Sequence, residues 1–343
     1  MDVQNRRALK QMARSRLAGA TYDPKKLALI HTGISVGVSL VIAFLGYYLD
    51  HWIAGTASGL SGMGTRRILE TVQMTLQSVQ GLAMPFWEIG FVFVALRLWR
   101  QESVQPKNMM EGFRRFRQVM GLRLTELCLY FGAAFGCAYA ASFIFAMTPY
   151  SQKMMQYLTP FMNDGATMVQ VLEALMTLPM EELLVMSAVY MVMFGVLFLL
   201  VFLSMHYKFR LADHLVMDQP NIGAMRALFY SSRLTKNKRW ALLKLDLSFW
   251  WFYLLMGVST VVCYMGLLLP MLGIRLAMTG DVAVMVFYVL SLLVQLVLFW
   301  QGKAYVQTTW AAAYETLCRQ LETPETPKAQ PNTKFPWEPY EEQ

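Results

Sequence analysis

The hydrophobic positions of this chain are grouped into long blocks rather than spread at the period of a strand or of an amphipathic helix. A block of about 20 residues, at a rise of about 1.5 Å per residue, crosses a hydrocarbon layer of roughly 30 Å. Backbone groups in lipid must be satisfied internally, and the blocks lack the alternation of a β-barrel, so we predict six transmembrane helices. The six blocks cover residues 27–49, 79–99, 124–147, 183–205, 245–269 and 282–300.

Composition supports an all-α integral membrane protein. Of 343 residues, 56% are hydrophobic and 15% are charged, and the mean hydropathy is +0.38. Soluble domains have about 45–50% apolar and about 25% charged residues. The composition therefore disfavours a water-soluble enzyme of one or two domains. Four cysteines without a CxxC pair exclude a disulfide framework or a zinc site as the organising feature.

The basic residues predict the orientation of the chain. All but four of the 30 lysines and arginines lie in segments 1–26, 97–123, 206–244 and 301–343. Under the positive-inside rule these segments and both termini are cytoplasmic.

The remaining segments complete the predicted domain. In the first outer loop Ile68, Val72, Leu76 and Val79 recur at helical spacing, and residues 166–178 have a similar pattern in the second. Both loops are expected to form short interfacial helices. We predict a single six-span domain over 1–321, with a cytoplasmic helix over 304–321, and a disordered Pro-rich tail over 322–343.

A recurring pattern indicates three internal repeats. Gln105-Pro106 and Gln219-Pro220 lie 114 residues apart, and proline in the first turn marks a helix start. Each predicted helix leads to a basic residue and a leucine at the mouth of a span. The units would be 1–100, 106–205 and 220–302, each a cytoplasmic helix followed by two spans, in parallel. Any chain with an even number of spans and basic inner loops gives a similar pattern.

Catalytic motifs are missing from the sequence. The four histidines (His31, His51, His206 and His214) form no HExxH motif, and no nucleophile elbow, Walker loop or dinucleotide fingerprint occurs. We therefore expect no enzyme activity, no cofactor and no metal.

Small residues four positions apart lie in two of the predicted spans. They are Gly33 and Gly37 in the first span and Gly132 and Gly136 in the third. Such spacing lets helix backbones approach closely, either within the bundle or in a homo-oligomer.

The predicted inner helices are basic and amphipathic. Their apolar faces are expected in lipid and their cations toward anionic headgroups or a protein partner. Alternatively, the charges only set topology. Nucleic-acid binding is disfavoured, because the patches carry no motif. The candidate binding residues are Arg6, Arg7, Lys10, Arg14, Arg16, Arg114, Arg115, Arg117, Arg226, Arg233, Lys236, Lys238 and Arg239.

One acidic residue lies at membrane depth. Glu88 follows Pro85 in the second span, and Gln295 lies at mid-span in the sixth. A charge at the bilayer centre costs at least ~2.5 kcal/mol, so Glu88 is expected to face the bundle interior. It would act either as a hydrogen-bonded structural link or in a proton or cation path.

Two segments resemble a known family. Residues 231–255 and 304–317 are similar to the motifs of domain of unknown function family 975: Leu247-Ser248-Phe249, Tyr305, Thr309 and Tyr314 match. Trp250-Trp251-Phe252, Ala304 and Ala313 depart from the family pattern. The resemblance implies a bacterial plasma-membrane protein and no particular activity.

Three functions are compatible with these features. The first is a non-enzymatic membrane scaffold or accessory factor. The second is a transporter or channel that uses Glu88, and the third is an intramembrane enzyme that acts on lipid. The lack of a catalytic constellation disfavours the third, and the few polar residues in the fourth and sixth spans disfavour a broad pore.

Overall fold

The computed structural model describes residues 5–56, 60–163, 180–271 and 280–322. Across these residues the chain is helical and forms no strand. The predicted helix at 166–178 and residues 323–343 of the predicted tail lie outside the described residues.

Twelve α-helices are described in chain order. Six of them have 22 residues or more and are long enough to hold a predicted span, and the other six have 15 residues or fewer. They are α1 (Arg6–Ala18), α2 (Pro24–Thr56), α3 (Leu60–Arg100), α4 (Glu111–Arg114), α5 (Phe116–Ala146), α6 (Pro149–Asn163), α7 (Met180–Phe209), α8 (Ala212–Asp218), α9 (Ala224–Leu234), α10 (Arg239–Leu247), α11 (Trp250–Met271) and α12 (Gly280–Glu322). A 3₁₀ helix, Pro106–Met110, precedes α4.

Five of the described helices are long and apolar enough to cross a membrane, and a bent pair brings the number to six. The five lie in α2, α3, α5, α7 and α12. The bent pair is α10 and α11, whose axes differ by 65°. The predicted fifth span, which starts at residue 245, therefore contains a break at Ser248 and Phe249 that hydrophobicity alone does not reveal.

Three predicted element boundaries need correction. The separate interfacial helix over Ile68–Val79 is wrong, because these residues belong to the continuous helix α3. Pro106 opens a 3₁₀ helix, whereas the helix expected at Pro220 begins at Ala224. Helix α6 after the third span was not predicted.

The chain divides into two compact units. Unit 1 consists of Met1–Gly81, Phe91–Met109 and Trp240–Gln343, and unit 2 consists of Leu82–Gly90 and Met110–Arg239. The threefold repeat stays a prediction.

Unit 1 is organised around the C-terminal half of α12. Residues 302–317 are buried or half-buried throughout, and the side chains of Trp310 and Tyr314 are almost inaccessible. A helix that is enclosed on all sides forms a core element. Helices α1, α2 and α11 pack against it.

Unit 2 is organised around the pair α5 and α7, with α8 and α9 packed at one end. Gly112 of α4 lies against the backbone of α3. A Cβ atom at this position would overlap the carbonyl oxygen of Phe86 and lie 3.1 Å from the backbone nitrogen of Gly90. This approach requires glycine.

The predicted packing glycines do not contact a neighbouring helix among the described residues. A Cβ built on Gly33, Gly37, Gly132 or Gly136 meets no described atom within 4 Å. These glycines therefore make no close helix–helix approach to another described residue, and their role in a homo-oligomer stays a prediction.

Candidate functional site

Helix α1 docks onto unit 1 through its apolar face. Asn5 caps the helix by accepting a hydrogen bond from the backbone N–H of Ala8 at 3.2 Å. Leu9 and Ala13 are completely buried, and the helix packs against α12. The expectation that the apolar face of this helix lies in lipid is therefore wrong at Leu9 and Ala13, because protein covers them.

Two cations of α1 are tied to the end of α10. Arg6 donates from Nη1 to the carbonyl of Lys244 at 3.2 Å, and Lys10 donates from Nζ to the carbonyl of Ser248 at 2.7 Å. The Lys244 carbonyl also accepts a hydrogen bond from the backbone N–H of Ser248 at 3.2 Å, and the partial negative charge at a helix C-terminus favours cations there. Lys10 also lies 4.0 Å from the ring centroid of Phe249.

Two further cations of α1 lie over aromatic rings. The guanidinium carbon of Arg14 is 5.1 Å from the ring centroid of Tyr305, and that of Arg16 is 5.7 Å from the ring of Trp99. Such contacts orient an arginine while its outer donors remain available. Both arginines remain exposed.

The break between α10 and α11 is held by a buried carboxylate. Asp246 is 9% exposed and accepts hydrogen bonds from the Tyr253 hydroxyl at 2.9 Å and from the indole N–H of Trp310 at 3.1 Å. Phe249, at the break itself, is fully buried. These contacts connect the bent segment to α12.

A basic pocket opens where α1 crosses the break. Its volume is about 560 Å³, and its lining residues are Asn5, Arg6, Arg7, Lys10 and Ser248. None of these residues is acidic. Burial lowers the pKa of Lys10 below its ordinary value, and the nearby charges of Arg14 and Arg6 lower it further. The pocket therefore concentrates positive charge.

A second buried cation lies deeper in unit 1. Lys303 is 5% exposed, and its Nζ lies 3.1 Å from Nδ1 of His31, which is fully buried. The ammonium also faces the rings of Phe91 and Phe299 at 5.3 and 5.0 Å. Sequence reasoning did not single out this pair, although a lysine inside a run of apolar and small residues is a signal.

Among the candidate binding cations of unit 2, Arg115 is bonded to the backbone of the protein itself. Arg115 donates from Nη1 to the carbonyls of Val216 and Met217 at 2.9 and 2.8 Å, and its Nε pairs with Glu111. Arg115 thus anchors α8 and is less available to lipid than the sequence predicts.

The remaining candidate cations of unit 2 form a second, mostly exposed group. On α9, Met225 and Phe229 are 70% and 49% exposed beside Arg226. Lys238 and Arg239 are half-buried. The exposed basic side chains of this group are Arg114, Arg117, Arg226, Arg233 and Lys236.

The two polar residues predicted at membrane depth differ in exposure. Glu88 is exposed in the described structure, and Gln295 is half-buried. The neighbouring positions Trp87 and Ile89 carry the buried face of α3. The role of Glu88 as a structural link or in a proton or cation path stays a prediction.

The described fold is that of an all-helical protein with five or six candidate membrane spans. The chain belongs to the family described as "Protein of unknown function (DUF975)", whose model matches residues 1–321. The family resemblance of the third predicted unit is thereby confirmed. Neither the curated proteins nor the solved structures contain a match to the chain.

Proposed function

We propose that this chain is a non-enzymatic scaffold or accessory factor of the bacterial cytoplasmic membrane, with both termini cytoplasmic. Its basic inner helices engage anionic lipid and position a protein partner or a second copy of the chain. The exposed cations around α9 carry this proposal.

The arrangement of α9 supports a location at the membrane surface. Ala227, Leu228 and Leu234 attach the helix to unit 2. Met225 and Phe229 leave apolar surface uncovered beside the exposed Arg226. Apolar side chains next to cations suit the boundary between headgroups and acyl chains.

The strength of the attraction to anionic lipid depends on the number of exposed cations and on the salt concentration. Each lysine or arginine near an anionic leaflet contributes about 1 kcal/mol. At physiological salt the attraction is largely screened beyond a distance of roughly 8–10 Å. Because several exposed cations act together, enrichment of anionic lipid should be strong in low salt and weak in high salt.

The test compares the unmodified protein with two double variants, each of which lacks two cations. Each protein is extracted together with its surrounding lipid from mixed bilayers of phosphatidylglycerol and phosphatidylcholine. Arg117→Gln with Arg226→Gln removes two exposed cations of the predicted inner surface. Arg67→Gln with Lys153→Gln removes two exposed cations of the predicted outer surface. We expect the inner pair to reduce the ratio of co-purified phosphatidylglycerol to phosphatidylcholine and the outer pair to leave it unchanged. Equal ratios in all three proteins would contradict the proposal.

The transport alternative, in which Glu88 lies in a proton or cation path, stays a prediction.

A further inference from the structure

The basic pocket at the N-terminal end of α1 differs from the exposed cations of α9, because its cations line one concave, solvent-open site together with Asn5 and Ser248. Its volume of about 560 Å³ lies within the usual range of about 300–1,000 Å³ for small-ligand sites. Of the five described residues that line it, Arg6, Arg7 and Lys10 are cations. We propose that this pocket binds the phosphate of an anionic membrane-lipid headgroup.

The donors of the pocket are only partly used by the protein. Arg6 directs one described bond to the Lys244 carbonyl, and Lys10 directs one to the Ser248 carbonyl. A guanidinium has five N–H donors and an ammonium has three, so most of them remain for a ligand. Arg7 is exposed and makes no hydrogen bond or ion pair with a described residue.

A phosphate fits this donor set better than a single carboxylate does. Its oxygens accept paired bonds from guanidinium groups and a further bond from an ammonium. An anion at this position would also relieve the repulsion among Arg6, Lys10 and Arg14, which disfavours the charged form of Lys10.

The surroundings of the pocket favour a lipid over a soluble phosphate. Trp250 and Trp251 lie two and three positions after Ser248, at the start of α11, and they are 62% and 40% exposed. Exposed tryptophans at the end of an apolar helix lie at the level of the headgroups. The pocket therefore opens at the depth where lipid phosphates are found.

This inference rests on the proposed function, because it needs the basic surface to lie against the anionic leaflet. It differs in stoichiometry: the exposed cations attract many lipids weakly, whereas the pocket holds one. Arg6 and Lys10 already connect α1 to the carbonyls of Lys244 and Ser248. A lipid phosphate bound to the same two cations would add to the attachment of α1 at this place.

The experiment is native mass spectrometry of the full chain in neutral detergent, titrated with phosphatidylglycerol, phosphatidylcholine or inorganic phosphate. We expect one tightly held phosphatidylglycerol per chain, and no comparable adduct with phosphatidylcholine. Arg7→Gln should weaken this binding about five-fold, as expected for the loss of about 1 kcal/mol. Arg7→Glu should abolish it. The control Lys25→Gln removes an exposed cation of unit 1 that does not line the pocket, and it should leave the affinity unchanged.

Three outcomes would overturn the inference. The first is equal weakening by Arg7→Gln and Lys25→Gln, which would mean bulk attraction only. The second is an Arg7-dependent adduct of inorganic phosphate without phosphatidylglycerol binding, which would make the ligand a soluble phosphate. The third is no discrete adduct at all. If no discrete adduct forms, a reduced ratio of phosphatidylglycerol to phosphatidylcholine in the Arg117 and Arg226 double variant would still support the proposed function.

Discussion

Gly112 is a position at which a single methyl group should disturb unit 2. Gly112→Ala would place a Cβ in the space of the Phe86 carbonyl, and backbone atoms cannot rotate away as a side chain can. We expect a loss of about 1–3 kcal/mol in the free energy of unfolding, as is typical of overpacking. Thermal unfolding in detergent measures the loss.

The matched control for this substitution is Gly136→Ala on α5. No described atom lies within 4 Å of a Cβ at that position, so the alanine meets open space and improves helix propensity. A melting temperature of the Gly112 variant equal to that of the control would contradict the close approach.

Single residues also mark the limit of what the sequence predicts. Glu88 is conspicuous because it is charged at membrane depth, but charge does not tell which face of a helix it occupies. The structure puts the buried face at Trp87 and Ile89 and leaves Glu88 exposed. The buried contact of Lys303 with His31 joins α12 to α2, and no local pattern encodes that distance.

At the scale of elements, helix α1 should depend on Leu9. Leu9→Asp would place a carboxylate in a fully buried site without a described partner, at a cost of several kcal/mol. We expect α1 to undock and trypsin to cleave after Arg14 at least ten-fold faster, since each 1.4 kcal/mol changes the open population about ten-fold. Timed digestion of the detergent-solubilised chain measures the rate.

The control introduces the same charge on the opposite face. Gln11 is exposed on α1, so Gln11→Asp should leave the cleavage rate close to that of the unmodified chain. Fast cleavage in both variants, or in neither, would contradict the docking of α1 through Leu9.

The amphipathic pattern of α1 was predictable, but its partner was not. Apolar residues at a period of 3.6 show that one face of the helix avoids water. The same pattern results whether that face lies in lipid or packs on protein. Here Leu9 and Ala13 meet protein, whereas Met225 and Phe229 of α9 are largely exposed. The residue pattern is the same in both helices, and only the three-dimensional contacts separate them.

Continuity of helices was also beyond the sequence. The outer-loop pattern at Ile68 indicates a helix correctly, but it does not say that the helix continues into the span as α3. Conversely, the sequence from residue 245 reads as one apolar run and gives no sign of the break before Trp250. The break is stabilised by Asp246, which accepts hydrogen bonds from Tyr253 nearby in sequence and from the distant Trp310.

For the whole molecule, the distribution of charge predicts the topology. Reporter fusions at Ser61 and Asn163 should be active outside the cytoplasm, and fusions at either terminus should be active inside. The reason is that all but four of the 30 basic residues fall on the predicted inner side. A cytoplasmic signal at Ser61 or Asn163 would contradict the assignment.

The overall class was the most predictable level of description. Block length and composition indicated the apolar helices, and the residues around Leu247-Ser248-Phe249 and Tyr305 indicated the family. The division into two units was not predictable, because it groups the first and last parts of the chain in unit 1. Grouping of this kind depends on contacts between residues hundreds of positions apart.

The docking of α1 has a consequence for the timing of synthesis. Lys10 is bonded to a residue 238 positions later in the chain. At about 5–20 residues per second, a ribosome needs roughly 12–50 s to make that interval. During this time α1 is present while its binding surface is still being translated, so Leu9 is uncovered and open to chaperones or to the bilayer surface. Among the described helices, the one that is synthesised first is therefore among the last to reach its final position.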